Sequence, residues 1–357
     1  MPTFVVRTPQ CSYPALVERG CLARLGEFLP QRAGKIFVLT TPDVWKRHSA
    51  RLAPGLAGRS HEILFYPGGE ERKRLATVEA LAEEMVHRGG DRSSLLLAFG
   101  GGIVNDVGGF LAAIFMRGIP VIQLPTTLLA QVDSGLGGKT GVNLEAGKNL
   151  VGAFHQPLAV LIDPEVLETL PEREYRAGLF EVIKCAIIRS PELFEMLETQ
   201  REDVLARQPE IVERMIADCV RVKAEVVSAD EREQDLRRIL NFGHTFGHAL
   251  EAETGYARLL HGEAVGFGMR AATLLAQRLG LLAPAAAGRI LALLEAYGPI
   301  PRVPVASCRA LLRRLHSDKK TVRGEVHFVL PEEIGRVRIL HGVDEQLVAE
   351  AIEAALA

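Results

Sequence analysis

The first half of the chain alternates continuous apolar runs with segments of mixed polarity. The apolar runs are five or six residues long, which is typical of strands buried on both faces of a parallel sheet. They are Lys35–Thr40, Leu95–Phe99, Pro120–Pro125 and Ala159–Asp163. Because amphipathic helical patterns separate these runs, the sequence predicts a parallel α/β sheet in this half.

From about Glu165 the pattern becomes that of helices. Apolar residues recur every three or four positions in Glu192–Leu205, Glu210–Ser228, Ala264–Leu279 and Ala285–Ala296. The exception is GEVHFVL at 324–330, which predicts a short hairpin strand. We therefore predict a parallel-sheet α/β domain over 1–164, followed by a mostly helical domain over 165–357.

Composition excludes several classes of protein. A length of 357 residues suits two domains of ~150 residues each. The net charge of −2 provides no basic field for nucleic acid. We expect neither a signal peptide nor a membrane span, since no long uncharged apolar window is present. Five scattered cysteines without a CxxC pair predict a reducing, cytoplasmic setting.

A glycine triplet, Gly100–Gly102, follows the second predicted strand and leads through Asn105 and Asp106 into a helical run. Such a turn lets backbone N–H groups approach a phosphate group at a helix N-terminus. A tight β-to-α turn without a ligand would give the same pattern. The acidic residue expected about 20 residues further on is missing, so this is not a standard dinucleotide-binding fingerprint.

A second polar segment, residues 123–149, combines hydroxyl groups, glycines, an asparagine and the two lysines Lys139 and Lys148. Lysine ammonium groups and closely approaching backbone amides suit phosphate. The alternative is a solvated loop with incidental lysines, but the density of Gly, Thr and Lys argues against it.

Three histidines, His244, His248 and His261, lie within 18 residues. The first two are four apart and share one helix face, and the third opens the next apolar helical run. Upstream, Glu181 and Lys184 are three apart among apolar neighbours, which predicts a buried functional pair. Two histidines, one glutamate and an open position describe a catalytic zinc-type site. Spacing alone assigns both His244 and His248 to the metal, and leaves open a substrate contact for His248.

Cationic residues accompany these motifs at Lys223, Arg237, Lys319 and Lys320. Together they predict a small anionic substrate, because arginine binds carboxylate or phosphate with two hydrogen bonds. For any one of them, an exposed helix charge is the alternative.

Taken together, these motifs resemble the 3-dehydroquinate synthases. The resemblance runs in order from about Gly69 to Leu330. The motifs that carry it are Gly69-Glu70-x-x-Lys73, the Gly100 triplet with Asp106, Met116-Arg117-Gly118, PTTLLAQVDSGLGGKTGVN, GKN at 147–149, LETLPEREYRAGLFEVIK, DEREQDLRRILNFGHTFGHALE, LLHGEAVGFGM and DKK at 318–320.

The resemblance implies an N-terminal Rossmann-like NAD-binding domain and a C-terminal helical domain that binds metal and substrate. It implies conversion of 3-deoxy-D-arabino-heptulosonate 7-phosphate (DAHP) into 3-dehydroquinate and phosphate, a step of the shikimate pathway. NAD would oxidise the substrate transiently, phosphate would be eliminated, and re-reduction and intramolecular aldol closure would follow. One divalent metal ion, zinc or cobalt, would act as a Lewis acid.

The resemblance also implies roles for single residues. The metal ligands would be Glu181, His244 and His261. The NAD set would be Glu70, Lys73, Gly101, Gly102, Asp106, Thr126, Thr127, Lys139, Lys148 and Thr169. The substrate set would be Asp133, Lys139, Asn149, Lys184, Lys223, Arg237, Asn241, His248 and Lys319 or Lys320. Arg117 would reach a neighbouring subunit's phosphate pocket, which implies a homodimer.

Two positions depart from the family pattern. Asn105 stands where relatives usually have a third glycine, so we expect it either to crowd a pyrophosphate or to adopt a positive φ. Thr41 stands where relatives often place an aspartate for the adenosine ribose, and we expect Asp43 to take that role.

Three other interpretations compete with this one. A sugar phosphate cyclase of the valiolone or aminocyclitol type would share NAD, metal and fold. Dehydroquinate chemistry is favoured by the retained Arg237, Asn241, His248 and Lys319-Lys320 pair. A metal-dependent NAD alcohol dehydrogenase would not need Lys139, Asn149 and Arg237 together. A non-catalytic binding protein would be expected to lose ligands, and the sequence shows no loss.

Overall fold

The computed structural model describes residues 2–256, 258–303, 306–317 and 326–357. The chain forms two compact units, the first comprising Met1–Pro171 and Arg207–Arg232, the second Glu172–Ala206 and Glu233–Ala357. A single domain boundary at 164/165 stays a prediction. Within the described residues, no helix has the length and apolar character that crossing a membrane requires.

Strands and helices are numbered in chain order. The strands are β1 Thr3–Arg7, β2 Ser12–Val17, β3 Ile36–Thr40, β4 His61–Phe65, β5 Leu95–Gly100, β6 Val121–Pro125, β7 Lys139–Leu144, β8 Gly147–Phe154, β9 Ala159–Ile162, β10 Phe328–Glu333 and β11 Arg336–Leu340. The α-helices are α1 Pro42–Leu52, α2 Leu75–His87, α3 Gly102–Ile114, α4 Glu172–Arg189, α5 Pro191–Thr199, α6 Arg201–Leu205, α7 Pro209–Ala229, α8 His244–Glu253, α9 His261–Arg278, α10 Pro284–Tyr297, α11 Cys308–Ser317 and α12 Glu345–Leu356.

A seven-stranded sheet forms the centre of the first unit, in the order β1-β2-β9-β6-β5-β3-β4. The four predicted strands are confirmed as β3, β5, β6 and β9, and their mutual pairings are parallel. At one edge, β1 pairs antiparallel with β2, which then joins β9 in parallel. The predicted parallel α/β class is therefore right, with one antiparallel edge strand.

In the core of this unit, helix α3 packs closely on the buried strands of the sheet. Every residue of β3 and of β5 is buried, as their continuous apolar character requires. Helix α3 packs directly on the sheet, because a Cβ on Gly108 would lie only 2.8 Å from Cβ of Ala98. This close packing holds the middle of α3 against β5.

Part of the polar segment 123–149 forms a hairpin in the structure. Strands β7 and β8 form an antiparallel hairpin, and Val142 in it is fully buried. A Cβ on Gly109 would lie 2.3 Å from Cγ2 of Thr140, so α3 is in close contact with this hairpin. Glycine on α3 thereby makes room for Thr140 of this hairpin.

The second unit is mostly helical, as predicted. The run predicted as one helix over Glu192–Leu205 is two, since Gln200 separates α5 from α6. The predicted helices over Glu210–Ser228, Ala264–Leu279 and Ala285–Ala296 correspond to α7, α9 and α10, although α7 belongs to the first unit. The hairpin predicted at 324–330 is displaced: β10 pairs with β11 around a turn near Gly335, and residues 324 and 325 lie outside the described residues.

Candidate active site

The glycine turn of the first unit lies where the sequence predicted it. Gly101 is the residue before the first turn of α3. A Cβ on Gly101 would lie 3.0 Å from Cγ2 of Thr127, and one on Gly102 would lie 2.8 Å from Oγ of Ser134. The absence of side chains thus lets the turn approach the segment after β6, where the backbone N of Thr126 donates to the carbonyl of Gly100. The first-turn amides of α3 form the kind of helix N-terminus that binds anions.

Both expectations for Asn105 are wrong. The residue lies inside α3, is not among the positive-φ residues, and is 1% exposed. Its Nδ2 donates to the carbonyl of Ala98, 3.1 Å away on β5. The helical register turns this side chain towards the sheet, so it does not crowd the glycine turn.

A buried lysine connects several predicted residues. Lys73 is 3% exposed, and its Nζ donates to Oδ2 of Asp106 at 2.5 Å and to Oδ1 of Asn149 at 2.6 Å. Burial raises the pKa of the Asp106 carboxyl, and the Lys73 ammonium opposes that rise. The structure therefore joins Lys73 and Asp106 of the predicted NAD set to Asn149 of the predicted substrate set.

Asn143 organises the same region, although the sequence analysis gave it no role. Its Nδ2 donates to Oε1 of Glu70 at 2.7 Å, and its Oδ1 accepts from the backbone N of Asn149 at 2.8 Å. Asn149 has a φ of 53°, a left-handed conformation that few side chains adopt, and this hydrogen bond stabilises it. Asn143 is the last residue of one of the motifs quoted above, but the sequence could not show that it contacts Glu70 and Asn149.

Helix α7 contributes a second buried cation to the first unit. Lys223 is 5% exposed, and its Nζ forms an ion pair with the Asp133 carboxylate and donates to the Asp133 carbonyl. Asp133 lies in a short π-helical segment, Ala130–Ser134. Two residues of the predicted substrate set, 90 positions apart, are thus direct partners.

The other predicted residues of the first unit lie in separate places. Thr41 is the N-cap of α1, where Oγ1 accepts from the backbone N of Val44, and Asp43 is exposed in the first turn. Oγ1 of Thr169 lies 3.0 Å from Nε2 of His48. The hydroxyl group of Thr41 therefore caps α1, and this role accounts for the residue without any contact to a ribose.

Five further residues complete the predicted sets of this unit. Thr126 is 4% exposed, and Oγ1 of Thr127 accepts from the backbone N of Ala130. Lys139 is exposed at the start of β7, and Lys148 is half-buried on β8. Arg117 is exposed after α3 and has a φ of 73°.

In the second unit the predicted metal ligands come together. Glu181 on α4 is fully buried, and its Oε1 lies 3.7 Å from Nε2 of His244 and 3.7 Å from Nε2 of His261. One ring nitrogen of each of His244, His248 and His261 lies within 4.8 Å of the others. The predicted pairing of His244 and His248 on one face of α8 is confirmed by a ring-centroid distance of 5.3 Å.

Glycines bring the histidine-bearing helices this close. A Cβ on Gly268 of α9 would lie 1.8 Å from the carbonyl oxygen of Gly243, which precedes α8. Similarly, a Cβ on Gly262 would lie 1.8 Å from the carbonyl oxygen of Ala177 on α4. Backbone contacts therefore set the spacing between α4, α8 and α9.

Hydrogen bonds on the far side of two imidazoles orient them. Nδ1 of His244 lies 3.2 Å from the carbonyl oxygen of Phe242, and Nδ1 of His261 lies 3.3 Å from Oε2 of Glu251. With Nδ1 occupied in this way, Nε2 of each ring is directed to Glu181. Sequence reasoning missed Glu251, although it stands in the same motif as the two histidines of α8.

This donor set fits a divalent cation. Two ligand atoms ~2.1 Å from a tetrahedral zinc ion are ~3.4 Å apart, close to the two 3.7 Å separations. Neither carboxylate oxygen of Glu181 accepts a well-formed hydrogen bond, although Nζ of Lys184 forms an ion pair with Oε2. A fully buried carboxylate that faces two imidazole nitrogens has the composition of a catalytic metal site.

The predicted anion-binding residues of this unit are partly described. Lys184 is 1% exposed and Arg237 is 2% exposed, so both cations are buried. Arg237 and Asn241 lie in the 3-10 helix Leu236–Asn241, and Nδ2 of Asn241 donates to Oε1 of Glu233. Lys319 and Lys320 lie outside the described residues.

Comparisons with known proteins agree with this arrangement. Residues 63–177 match the model of the 3-dehydroquinate synthase N-terminal family, and residues 178–321 match the C-terminal one. A 3-dehydroquinate synthase of Solibacter usitatus is 62% identical over 357 residues and both full lengths.

Solved structures share the fold. The 2-epi-5-epi-valiolone synthase of Streptomyces hygroscopicus, with NAD⁺ and Zn²⁺ bound, gives a TM-score of 0.88 at 30% identity, covering 97% of both chains. A 2-deoxy-scyllo-inosose synthase complexed with carbaglucose-6-phosphate, NAD⁺ and Co²⁺ gives 0.89 at 27% identity, covering 99% of both chains.

Proposed function

Because the chain belongs to the 3-dehydroquinate synthase family, we propose that it converts DAHP into 3-dehydroquinate and phosphate. The observation that carries this proposal is the 62% identity to a 3-dehydroquinate synthase along the entire chain. The net reaction releases phosphate and leaves NAD unchanged, so the protein is a phosphate-eliminating lyase.

The first unit binds NAD on this proposal. Support comes from the glycine turn at the N-terminus of α3 and from the network that joins Glu70, Asn143, Asn149, Lys73 and Asp106. The helix N-terminus suits the pyrophosphate, and carboxylates suit ribose hydroxyls. The solved cyclases that hold NAD⁺ have the same fold.

Glu181, His244 and His261 hold the divalent cation, zinc or cobalt, on this proposal. The support is the equal distance of both Nε2 atoms from Oε1 of Glu181. Hydrogen bonds at Nδ1 orient these two rings. His248 is the substrate contact on this proposal, as the family resemblance implies. When bound, NAD supplies a reversible hydride acceptor and the cation supplies Lewis acidity.

The chain's own residues bind and orient the substrate. Lys139 and Asn149 hold the phosphate, and Arg237 binds the carboxylate with two parallel N–H donors. Nζ of Lys184, held against Glu181, donates to a substrate oxygen, while Asn241 and His248 orient neighbouring hydroxyls. Burial of Lys184 and Arg237 strengthens these contacts, because the local dielectric constant is low.

A sister cyclase is the second candidate. Its support is the high structural similarity to valiolone and inosose synthases. Such an enzyme would use the same NAD and metal sites with a different sugar phosphate, for example sedoheptulose 7-phosphate.

The deciding experiment follows phosphate release and NADH absorbance with DAHP, NAD and Zn²⁺ or Co²⁺. We expect phosphate and dehydroquinate in equal amounts without net NADH. Chelator-treated protein and the His261→Ala variant should be inactive, whereas His316→Ala, an exposed histidine on α11, should retain full activity. Turnover of sedoheptulose 7-phosphate in place of DAHP would identify a sister cyclase.

We also propose a homodimer in which Arg117 contributes to the neighbouring subunit. Arg117 is exposed, and Ile114 and Met116 beside it are apolar and 47% and 38% exposed. An exposed apolar patch around an arginine is typical of protein interfaces. A cytoplasmic location is part of the same proposal, and the five free cysteines support it.

A further inference from the structure

Glu251 is a buried carboxylate close to the proposed metal ligands. It lies on α8, the helix that carries His244 and His248, and it is 3% exposed. Its Oε2 lies 3.3 Å from Nδ1 of His261, ten residues further along the chain. The sequence motif placed this glutamate near the histidines but assigned it no function.

The geometry distinguishes Glu251 from Glu181. Glu181 faces the Nε2 atoms of His244 and His261, whereas Glu251 contacts the opposite nitrogen of His261. One carboxylate thus lies on each side of the same imidazole. A carboxylate at Nδ1 keeps the proton on that nitrogen, so the lone pair remains on Nε2, and it makes the ring a stronger electron donor.

We infer that Glu251 is a positioning residue that fixes the tautomer and ring orientation of His261 for metal binding. This inference rests on the proposed function, because it presumes that His261 is a ligand. His261 needs this support more than His244 does, since His261 is 31% exposed on its side chain and lies in the first turn of α9. His244 is 10% exposed and takes its orientation from the backbone carbonyl of Phe242.

The test measures metal affinity, and no turnover is involved. Metal-free wild type, Glu251→Gln and Glu251→Leu are titrated with Zn²⁺ against a chromophoric chelator at one neutral pH. The Gln side chain keeps the shape and an acceptor oxygen but removes the charge. The Leu side chain removes the charge and the acceptor oxygen. We expect the dissociation constant to rise about tenfold for Gln and about 100-fold for Leu.

Glu253→Gln is the matched control. Glu253 is two residues further along α8, and its Oε2 lies 3.1 Å from Nε of Arg314, so this variant removes the same charge without touching a histidine. Its dissociation constant should equal that of wild type. The visible absorption of the Co²⁺-loaded protein should change for Glu251→Gln and remain the same for Glu253→Gln.

The outcomes separate this inference from the proposed function. Circular dichroism of the metal-free proteins verifies folding. If Glu251→Gln does not fold, Glu251→Asp replaces it with the same expected rise, because its shorter side chain withdraws the carboxylate from Nδ1 of His261. An unchanged affinity in Glu251→Gln, or an equal loss in Glu253→Gln, would overturn the positioning role while the metal site stands. A wild type that binds no Zn²⁺ or Co²⁺ would overturn both.

Discussion

Nζ of Lys73 lies 2.6 Å from Oδ1 of Asn149, so a residue of the predicted NAD set donates a hydrogen bond to a residue of the predicted substrate set. The same Nζ lies 2.5 Å from the Asp106 carboxylate. One buried cation therefore contacts both helix α3, which is proposed to bind NAD, and the hairpin strand β8. Changes at either end of this contact should affect binding of NAD and of substrate together.

The first prediction concerns Asn149→Ala. Loss of a hydrogen bond to a buried ammonium costs ~1.5–3 kcal/mol, so we expect the KM values for both NAD and DAHP to rise at least about tenfold. Steady-state kinetics with each substrate varied in turn would measure this. Glu145→Ala in the adjoining turn is the control, because that side chain is 93% exposed. A rise confined to DAHP would contradict the shared role.

The second prediction concerns the ion pair between the buried Lys223 and Asp133, whose side chain is 24% exposed. Lys223→Met leaves the Asp133 carboxylate without its ammonium partner, which should lower the free energy of unfolding by about 3 kcal/mol. Urea unfolding would measure it. Arg221→Met, on the same helix, breaks ion pairs of a cation whose side chain is 39% exposed, and it should cost less than ~1 kcal/mol. Equal losses of stability in the two variants would contradict the expectation that the ion pair of the buried Lys223 contributes more than those of Arg221.

The third prediction concerns Arg237, which is almost fully buried. Arg237→Ala should raise the KM for DAHP about 100-fold or more, because the substrate carboxylate loses a two-donor partner in a low-dielectric site. The neighbouring Arg238→Ala, where the side chain is half-exposed, should have little effect. An unchanged KM in Arg237→Ala would remove its role in binding the anion.

The fourth prediction concerns pH and stability. Burial lowers the pKa of His48, whose Nε2 contacts Thr169. Above pH ~6.5 the ring is neutral in the folded and unfolded chain, and its contribution to stability is complete. As the pH falls below that value the unfolded chain binds the proton more strongly, so the free energy of unfolding decreases until the pH passes the folded pKa.

Urea unfolding at about pH 7.5 and pH 5.5 should therefore show a smaller acid loss in His48→Gln than in wild type. His87→Gln, at an exposed position of α2, should behave as wild type. An identical pH dependence in all three proteins would contradict the effect of burial on His48.

The fifth prediction concerns the dimer. Arg117→Ala and Lys184→Ala should each be inactive alone. Mixed after mild dissociation, they should regain roughly a quarter of wild-type activity, since half of the dimers are mixed and each has one intact site. Light scattering would confirm the dimer, and no recovery in verified mixed dimers would show that Arg117 acts within its own subunit.

Sequence patterns predicted those features that depend on neighbours in the chain. The four buried strands and the Glu181–Lys184 pair follow from local periodicity, and both are confirmed. Features that depend on packing were missed. Glu251 contacts His261 only because α8 and α9 lie side by side, and Asn105 faces the sheet because of its helical register.

The contact between Gly268 and Gly243 has a consequence for how the sequence can vary. The distance between the two histidine-bearing helices is set by one main chain against another, with no side chain between them. Apolar residues elsewhere in these helices can therefore be replaced by larger or smaller ones while the distance between His244 and His261 stays constant. The geometry of the proposed metal site therefore does not depend on which apolar residues fill the surrounding core. A side chain at either of these two glycines would disturb it.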